Sequence, residues 1–151
     1  MSTQWNVVPI EREHLGAIAE LEKHCFFEPW SEKALELLLA ENAFGFVLMQ
    51  DGQALAYAGM MTVLDEGQIT NVATHPEHRR RGLGGAVLTA LLDGARARGL
   101  SQISLEVRRS NRDAIALYER AGFSVAGERR NFYKHPTEDA LVMLLALTPA
   151  D

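Results

Sequence analysis

Apolar residues in the first part of this chain recur at helical spacing. Leu15, Ile18 and Ala19 fall on one helical face, and either Leu21 or Glu22 continues it. Ser31 is placed to cap a second helix, and a run of glycines opens a third, longer one. The pattern predicts helices over about 11–24, 31–40, 82–99 and 111–121.

Other segments alternate apolar and polar residues, which is typical of strands that bury one face. The alternation is clearest where Ile103, Leu105 and Val107 are separated by polar side chains. Asp51 and Gly52 form a strong hairpin signal between two such segments. The pattern predicts strands at about 7–8, 44–50, 53–64, 68–74, 103–107, 123–128 and 140–147.

In chain order these elements are one strand, two helices, three strands, a helix, a strand, a helix and two strands. We therefore predict a mixed α/β fold in which the strands from 44 to 74 form an antiparallel meander. The chain has 151 residues, no linker and no internal repeat, so we expect one domain over 1–151.

Composition narrows the function classes. The formal net charge is −5, which disfavours a protein that binds nucleic acid by neutralising phosphates. We expect no membrane association, because the N-terminus does not resemble a signal peptide and no apolar run reaches roughly 18 residues. The single cysteine, Cys25, suits the cytoplasm, and a buried structural thiol is favoured there over a nucleophile.

The segment from Arg79 to Gly85 carries the clearest chemical signal. Its glycines, at the start of a predicted helix, leave backbone N–H groups unblocked where the helix dipole is positive. The arginines from 79 to 81 add donors suited to phosphate oxygens. The segment predicts a phosphate-binding site, against the alternative of an ordinary helix start beside solvated arginines.

Two familiar glycine motifs do not fit this segment. A phosphate loop of the Walker type needs Lys and then Ser or Thr after its last glycine, where Ala86 and Val87 stand. The dinucleotide fingerprint needs a small third residue at the same Val87. The remaining spacing, from Arg79 through Gly82 to Gly84, resembles the pyrophosphate-binding signature of the GNAT superfamily of acetyl-CoA-dependent N-acetyltransferases.

The resemblance extends over almost the whole chain and is closest to the RimI branch of that superfamily. It is carried by the phosphate-binding segment together with Pro29, Trp30, Ser31, Asn71, Val72, Ala73, His75, Pro76, Glu77, Leu105, Glu106, Val107, Arg108, Ser110, Asn111, Ala114, Leu117, Tyr118, Gly122, Phe123, Arg129, Arg130, Asn131 and Tyr133. It implies a GNAT fold, in which a central twisted mixed sheet of about seven strands is splayed between the fourth and fifth and flanked by about four helices.

The resemblance also implies the reaction. Acetyl-CoA would be the co-substrate, no metal would be needed, and the acceptor would be the N-terminal alanine of a small-subunit ribosomal protein. By resemblance, the cofactor-binding residues are Val72, Ala73, Thr74, Arg79, Arg80, Arg81, Gly82, Leu83, Gly84, Gly85 and Asn111. Thr74 stands where the family commonly has an apolar residue, but the implied contact there is to the backbone.

Glu106 and Tyr118 match the RimI positions for the general base and the general acid. Alternation alone favours a solvated strand carboxylate for Glu106, and a helical tyrosine such as Tyr118 is more often a core aromatic. The family match reverses both preferences. Trp30 and Tyr133 are candidate walls of the acceptor site, although Trp30 could equally be a hydrophobic anchor and Tyr133 could close the last hairpin.

Three rival functions remain open from the sequence. A related enzyme could acetylate a lysine side chain or a small-molecule amine. A non-catalytic module could bind acyl-CoA without turnover. A polyanion-binding role for the arginines is the third, and it predicts affinity that falls steeply with salt.

Overall fold

A computed structural model of the chain, which describes residues 4–147, contains seven strands and four α-helices within that range. The strands are β1 (Asn6–Pro9), β2 (Ala43–Gln50), β3 (Gln53–Val63), β4 (Glu66–Thr74), β5 (Gln102–Arg108), β6 (Ser124–Tyr133) and β7 (Glu138–Ala146). The helices are α1 (Leu15–Cys25), α2 (Glu32–Leu35), α3 (Leu83–Ala97) and α4 (Arg112–Arg120). The predicted number and order of strands and helices are confirmed.

All seven strands form a single sheet in the order β1-β2-β3-β4-β5-β7-β6. Neighbouring strands are antiparallel except β4 and β5, which run parallel. The turn between β2 and β3 places Asp51 and Gly52 at φ angles of 50° and 79°, as a two-residue hairpin of this sequence requires. The sheet is therefore mixed, as predicted.

The core consists of two clusters. One contains α3 residues such as Val87 and Leu91 packed with β2 and β3 residues such as Leu48 and Leu55. The other contains side chains of α1 and α2, among them Ile18, with further residues of β2 and β3. Burial of each large aliphatic side chain contributes about 1.5–3 kcal/mol to stability.

Two predicted elements differ from the observed ones, the first in helix type and the second in length. The helix that Ser31 caps, with Ser31 Oγ accepting from Ala34 N at 3.1 Å, ends as an α-helix at Leu35 and continues as a 3₁₀ helix from Glu36 to Leu39. The strand predicted over 123–128 extends to Tyr133. Its second half is polar because β6 is an edge strand that pairs only with β7, so most of its side chains face water.

Candidate active site

The parallel strands β4 and β5 are paired over only three positions. These are Glu66 with Gln102, Gly67 with Ile103 and Gln68 with Ser104. Beyond them β4 pairs only with β3, and β5 pairs only with β7. The sheet therefore splays between its fourth and fifth strands, as predicted, and opens a cleft with the edge of β4 on one side.

A cavity of about 760 Å³ lies beside this cleft. It brings together most of the predicted cofactor-binding residues, and Tyr118 with them. Those that line it are Val72, Ala73, Thr74, Arg79, Arg80, Gly82, Leu83, Gly84, Gly85, Asn111 and Tyr118. Trp30, Arg81, Glu106 and Tyr133 are not among its lining residues.

Helix α3 begins at this cavity with free backbone amides. Its N-cap, Gly82, has a φ of 77° and no side-chain cap, and the first bond of the helix runs from Ala86 N to Gly82 O at 3.1 Å. The N–H groups of Leu83, Gly84 and Gly85 precede that bond and have no acceptor within the helix. They are unpaired donors at the positive end of the dipole of a 15-residue helix, an arrangement that suits an anion.

The glycines also keep this end of α3 close to β4. A Cβ atom added at Gly84 would lie 3.0 Å from Thr74 Oγ1 and 3.5 Å from Leu117 Cδ2. A larger side chain at this position would therefore fill the space above the free amides. These free amides of Leu83, Gly84 and Gly85, the phosphate cradle, are chemically suited to the oxygens of a pyrophosphate.

The three arginines separate into two groups. The side chains of Arg79 and Arg80 line the cavity, and Arg80 has a φ of 66°. The Arg81 guanidinium instead lies 2.7 Å from Nδ1 of His78. Of these three, Arg79 and Arg80 add positive charge to the cavity, and Arg120 of α4 also lines it.

Glu106 is largely enclosed, unlike the solvated carboxylate that strand alternation alone suggests. Gln68 Nε2 donates a hydrogen bond to Glu106 Oε1 at 2.9 Å, and Arg129 Nε lies 3.9 Å from Oε2. The side chain is 15% exposed. Gln68 is the last residue of β4 that pairs with β5, so Glu106 stands where the splay begins.

Tyr118 is buried and faces the cavity from α4. It is 6% exposed, and its ring packs edge-on against Phe123 with the ring centroids 5.8 Å apart. Burial raises the pKa of Tyr118 well above its ordinary value, and nearby Tyr133 raises it further. The phenol therefore keeps its proton at neutral pH.

Tyr133 connects the two candidate catalytic residues electrostatically. Burial, followed by the charge of Glu106, raises the pKa of Tyr133 to about 12, although Arg108 opposes the rise. The Arg108 guanidinium covers the Tyr133 ring at 4.4 Å from its centroid. Tyr133 of β6 thus interacts electrostatically with Glu106 of β5 and with Tyr118 of α4.

Comparison with known proteins gives three consistent matches. The acetyltransferase (GNAT) family matches residues 15–123. This chain belongs to the GNAT acetyltransferase family. A [ribosomal protein bS18]-alanine N-acetyltransferase from Escherichia coli is 41% identical over 92% of this chain and 95% of its own length. A putative [ribosomal protein bS18]-alanine N-acetyltransferase from Bacillus subtilis is 33% identical over 97% of this chain and 99% of its own length.

The fold of this GNAT acetyltransferase agrees with the sequence matches. A crystal structure of the ribosomal-protein-S18-alanine N-acetyltransferase from E. coli superposes with a TM-score of 0.89 and 39% identity. The superposition covers 98% of this chain and 97% of that one. The predicted family, the RimI-type resemblance and the N-acetyltransferase class are thereby confirmed.

Two predicted residues have clear structural roles in this GNAT domain. Asn111 caps α4, since its Oδ1 accepts from Ala114 N at 3.2 Å, while it also lines the cavity. Trp30 is half-buried and packs against the α1 core cluster, so it is at least a hydrophobic anchor.

The single cysteine of this GNAT domain, Cys25, is half-buried and lines the cavity, so the predicted burial of its thiol is only partly met. The Cys25 thiol donates to the carbonyl oxygen of Thr74 at 3.4 Å, and burial raises its pKa to about 11. It therefore stays protonated at neutral pH and is a poor nucleophile.

Sequence reasoning missed two side chains that organise this GNAT site. Gln68 holds Glu106 as described above. Arg108 donates to the carbonyl oxygens of Lys134 and Pro136, at 2.9 Å each, and so holds the loop between β6 and β7. Neither set of contacts could be predicted from a local sequence pattern, because the bonded residues are at least 26 positions apart along the chain.

Residues 4–147 carry neither of two features that would suggest other functions. No cluster of three or more histidine, cysteine or carboxylate side chains suited to a metal ion is present there. Within the same range, none of the helices is long and apolar enough to cross a membrane.

Proposed function

We propose that this protein transfers the acetyl group of acetyl-CoA to the N-terminal amine of a protein, and that its acceptor is the N-terminal alanine of ribosomal protein bS18. The observation that carries the reaction is the splayed edge of β4 beside the three free amides of α3. The acceptor rests on the E. coli relative, which matches 92% of this chain at 41% identity. The chain would act as one domain in the cytoplasm.

Donor binding would use the two features of the cleft. The pyrophosphate of acetyl-CoA fits the amides of Leu83, Gly84 and Gly85, with Arg79 and Arg80 supplying charge. The amide-rich arm fits the open edge of β4 at Val72, Ala73 and Thr74, as an extended strand would. When bound, acetyl-CoA supplies an activated acetyl thioester at the splay.

The residues of this chain then meet three chemical demands. An α-ammonium has a reference pKa of about 7.7–8.0, so a base must remove its proton, and Glu106 is the carboxylate beside the splay. Backbone N–H groups there, Val72 among them, would stabilise charge on the carbonyl oxygen. Tyr118, a buried phenol that retains its proton, would protonate the departing thiolate.

The acceptor would lie between the two loops that flank this face. The loop from 26 to 31 contributes Trp30, and Tyr133 comes from the end of β6. The loops contact each other, since the rings of Phe27 and His135 stack at 5.3 Å and Glu28 Oε1 lies 3.3 Å from His135 Nε2. Trp30 and Tyr133 are accordingly proposed as walls of the acceptor site.

A panel of acceptors tests the assignment. Wild-type protein is incubated with acetyl-CoA and a peptide that begins with alanine, the same peptide with a blocked N-terminus and an internal lysine, or small polyamines. We expect turnover only with the free N-terminal alanine. Faster acetylation of the lysine or the polyamine would replace the proposed acceptor while keeping the donor.

Two variants separate catalysis from binding. Glu106→Gln and Tyr118→Phe should each lower kcat about 10²- to 10⁴-fold, because each removes one proton-transfer group. Their affinity for acetyl-CoA, measured by calorimetry, should stay near that of the wild type. Binding without turnover in the wild type would favour the non-catalytic module, and unchanged kcat in both variants would refute the assigned roles.

A further inference from the structure

Helix α1 carries a carboxylate inside the protein. Glu22 has no exposed surface, and among residues 4–147 it is the one charged side chain in the buried class. Burial raises its pKa, which three hydrogen bonds oppose. The proposed reaction does not use this group, so its burial requires another explanation.

The three donors to Glu22 come from three different parts of the fold. Trp30 N donates to Oε1 at 2.9 Å, while Tyr57 Oη and Asn71 Nδ2 donate to Oε2 at 2.5 and 3.2 Å. Asn71 Nδ2 also lies 3.2 Å from the Tyr57 hydroxyl oxygen. One carboxylate thus joins α1 to the loop before α2, to β3 and to β4.

Both ends of this network lead to the proposed reaction site. Trp30 lies in the loop proposed to border the acceptor. Asn71 lies in β4 directly after Thr70, where the register with β3 shifts between Gly59 and Met60. The next residue, Val72, lines the cavity on the splayed part of β4.

A carboxylate suits this position because it has acceptors on both of its oxygens and no donor when ionised. An apolar residue of similar size would leave the Trp30 N–H and the Tyr57 hydroxyl without their acceptor in the protein interior. A glutamine has one acceptor oxygen and one NH₂ group. Either the Trp30 N–H, or the Tyr57 hydroxyl and the Asn71 amide, would therefore face the NH₂ group instead of an acceptor. Both carboxylate oxygens of Glu22 are therefore needed to connect the Trp30 loop to Asn71 in β4.

We propose that Glu22 is a positioning residue that sets the acceptor site by fixing the Trp30 loop relative to the splayed strand β4. Glu22 acts through Trp30 and Asn71 and does not touch the reacting atoms. This inference rests on the proposed function for its kinetic consequences. Its structural consequence, the placement of Trp30, is independent of any substrate.

The test compares Glu22→Gln with Ile18→Val, which removes a methyl group from a fully buried side chain one turn earlier in α1. The second change loosens the same helix without touching the network. Both are made in a Trp5→Phe background, because the chain has two tryptophans and Trp30 then reports alone. Acrylamide quenching of its fluorescence is measured on the folded full-length protein.

We expect Glu22→Gln to raise the quenching constant of Trp30 about two-fold and Ile18→Val to leave it unchanged. With the alanine peptide, Glu22→Gln should raise the acceptor KM about ten-fold while the KM for acetyl-CoA changes less than two-fold. Equal behaviour of the two variants in both measurements would reduce Glu22 to a general core residue and overturn the proposal.

Tyr57→Phe keeps the test decisive if Glu22→Gln does not fold. It removes a single hydroxyl from the network. We expect the quenching constant of Trp30 to rise above the wild-type value, but by less than two-fold. Quenching equal to that of Ile18→Val would contradict the proposal. If even the wild type fails to acetylate the alanine peptide, the proposed acceptor is wrong, while the quenching result still decides the role of Glu22.

Discussion

At the scale of single residues, the environment of Tyr118 sets the pH range over which it can donate a proton. A phenol is neutral when protonated, so burial favours the protonated form and raises the pKa. A raised pKa means that the proton is held to higher pH. Loss of activity at alkaline pH, up to about pH 10, should therefore not arise from Tyr118.

We predict that Tyr118→Phe lowers kcat by a similar factor at every pH from 7 to 9.5, because the wild-type phenol is protonated throughout that range. The measurement is kcat as a function of pH for both proteins at saturating acetyl-CoA. A ratio of the two kcat values that approaches one above pH 8 would show that another group donates the proton.

The residue-scale features differ in how well the sequence predicted them. The free amides at Gly82 to Gly85 could be predicted from local chemistry, since the glycines and the helix start are adjacent in the chain. The surroundings of Glu106 could not be predicted in this way. Gln68 is 38 residues away and contacts Glu106 only because β4 pairs with β5. The sequence leaves open whether Leu21 or Glu22 continues the apolar face of α1, and it does not predict the three partners of Glu22, which come from other segments.

At the scale of elements, α3 begins and ends on a glycine in the left-handed region. Gly82 has a φ of 77° and Gly99 a φ of 76°, and an added Cβ would meet nothing within 4 Å at either position. The two sites therefore carry the same backbone strain on substitution, but only Gly82 lines the cavity.

We predict that Gly82→Ala and Gly99→Ala each lower the free energy of unfolding by about 1–2 kcal/mol, the cost of a left-handed alanine. Only Gly82→Ala should weaken the binding of acetyl-CoA, because only it alters the conformation of the cradle. Urea unfolding and calorimetry measure the two effects. If both variants bind acetyl-CoA more weakly, the weaker binding would result from the lower stability of α3 as a whole, and the prediction would be wrong.

Elements were predicted best where one face is buried and least well at the edge of the sheet. The long helix α3 and strand β5 have regular apolar spacing because each packs against the core along its length. Residues 129–133 of β6 lack that spacing, and their register with β7 is irregular. The pairing that makes them a strand is set by β7, which local sequence does not reveal.

At the scale of the whole molecule, one continuous sheet lies between the two core clusters. Both clusters include side chains from β2 and β3, so neither can lose its packing while the other keeps an intact sheet. The order of strands and helices along the chain was predicted from the sequence. The insertion of β7 between β5 and β6 was not predicted, because spacing along the chain does not show which strands pair.

We predict that the chain unfolds as one cooperative domain, with the same midpoint in urea by tryptophan fluorescence and by far-ultraviolet circular dichroism. The reason is that the sheet is shared by both clusters. Separate midpoints for the two probes would show that the α1 side and the α3 side are independent units, and would contradict a single domain.

The splay between β4 and β5 has a consequence for self-association. Unpaired strand edges at the border of a sheet invite pairing between molecules, and proteins usually protect them with charges or short strands. Here the open edge lies in the interior of the sheet, where β5 and α4 limit access to it. An extended small molecule can enter that gap more easily than a strand of another folded protein. The same geometry that leaves backbone groups free for a ligand thus also protects the protein from aggregation through them.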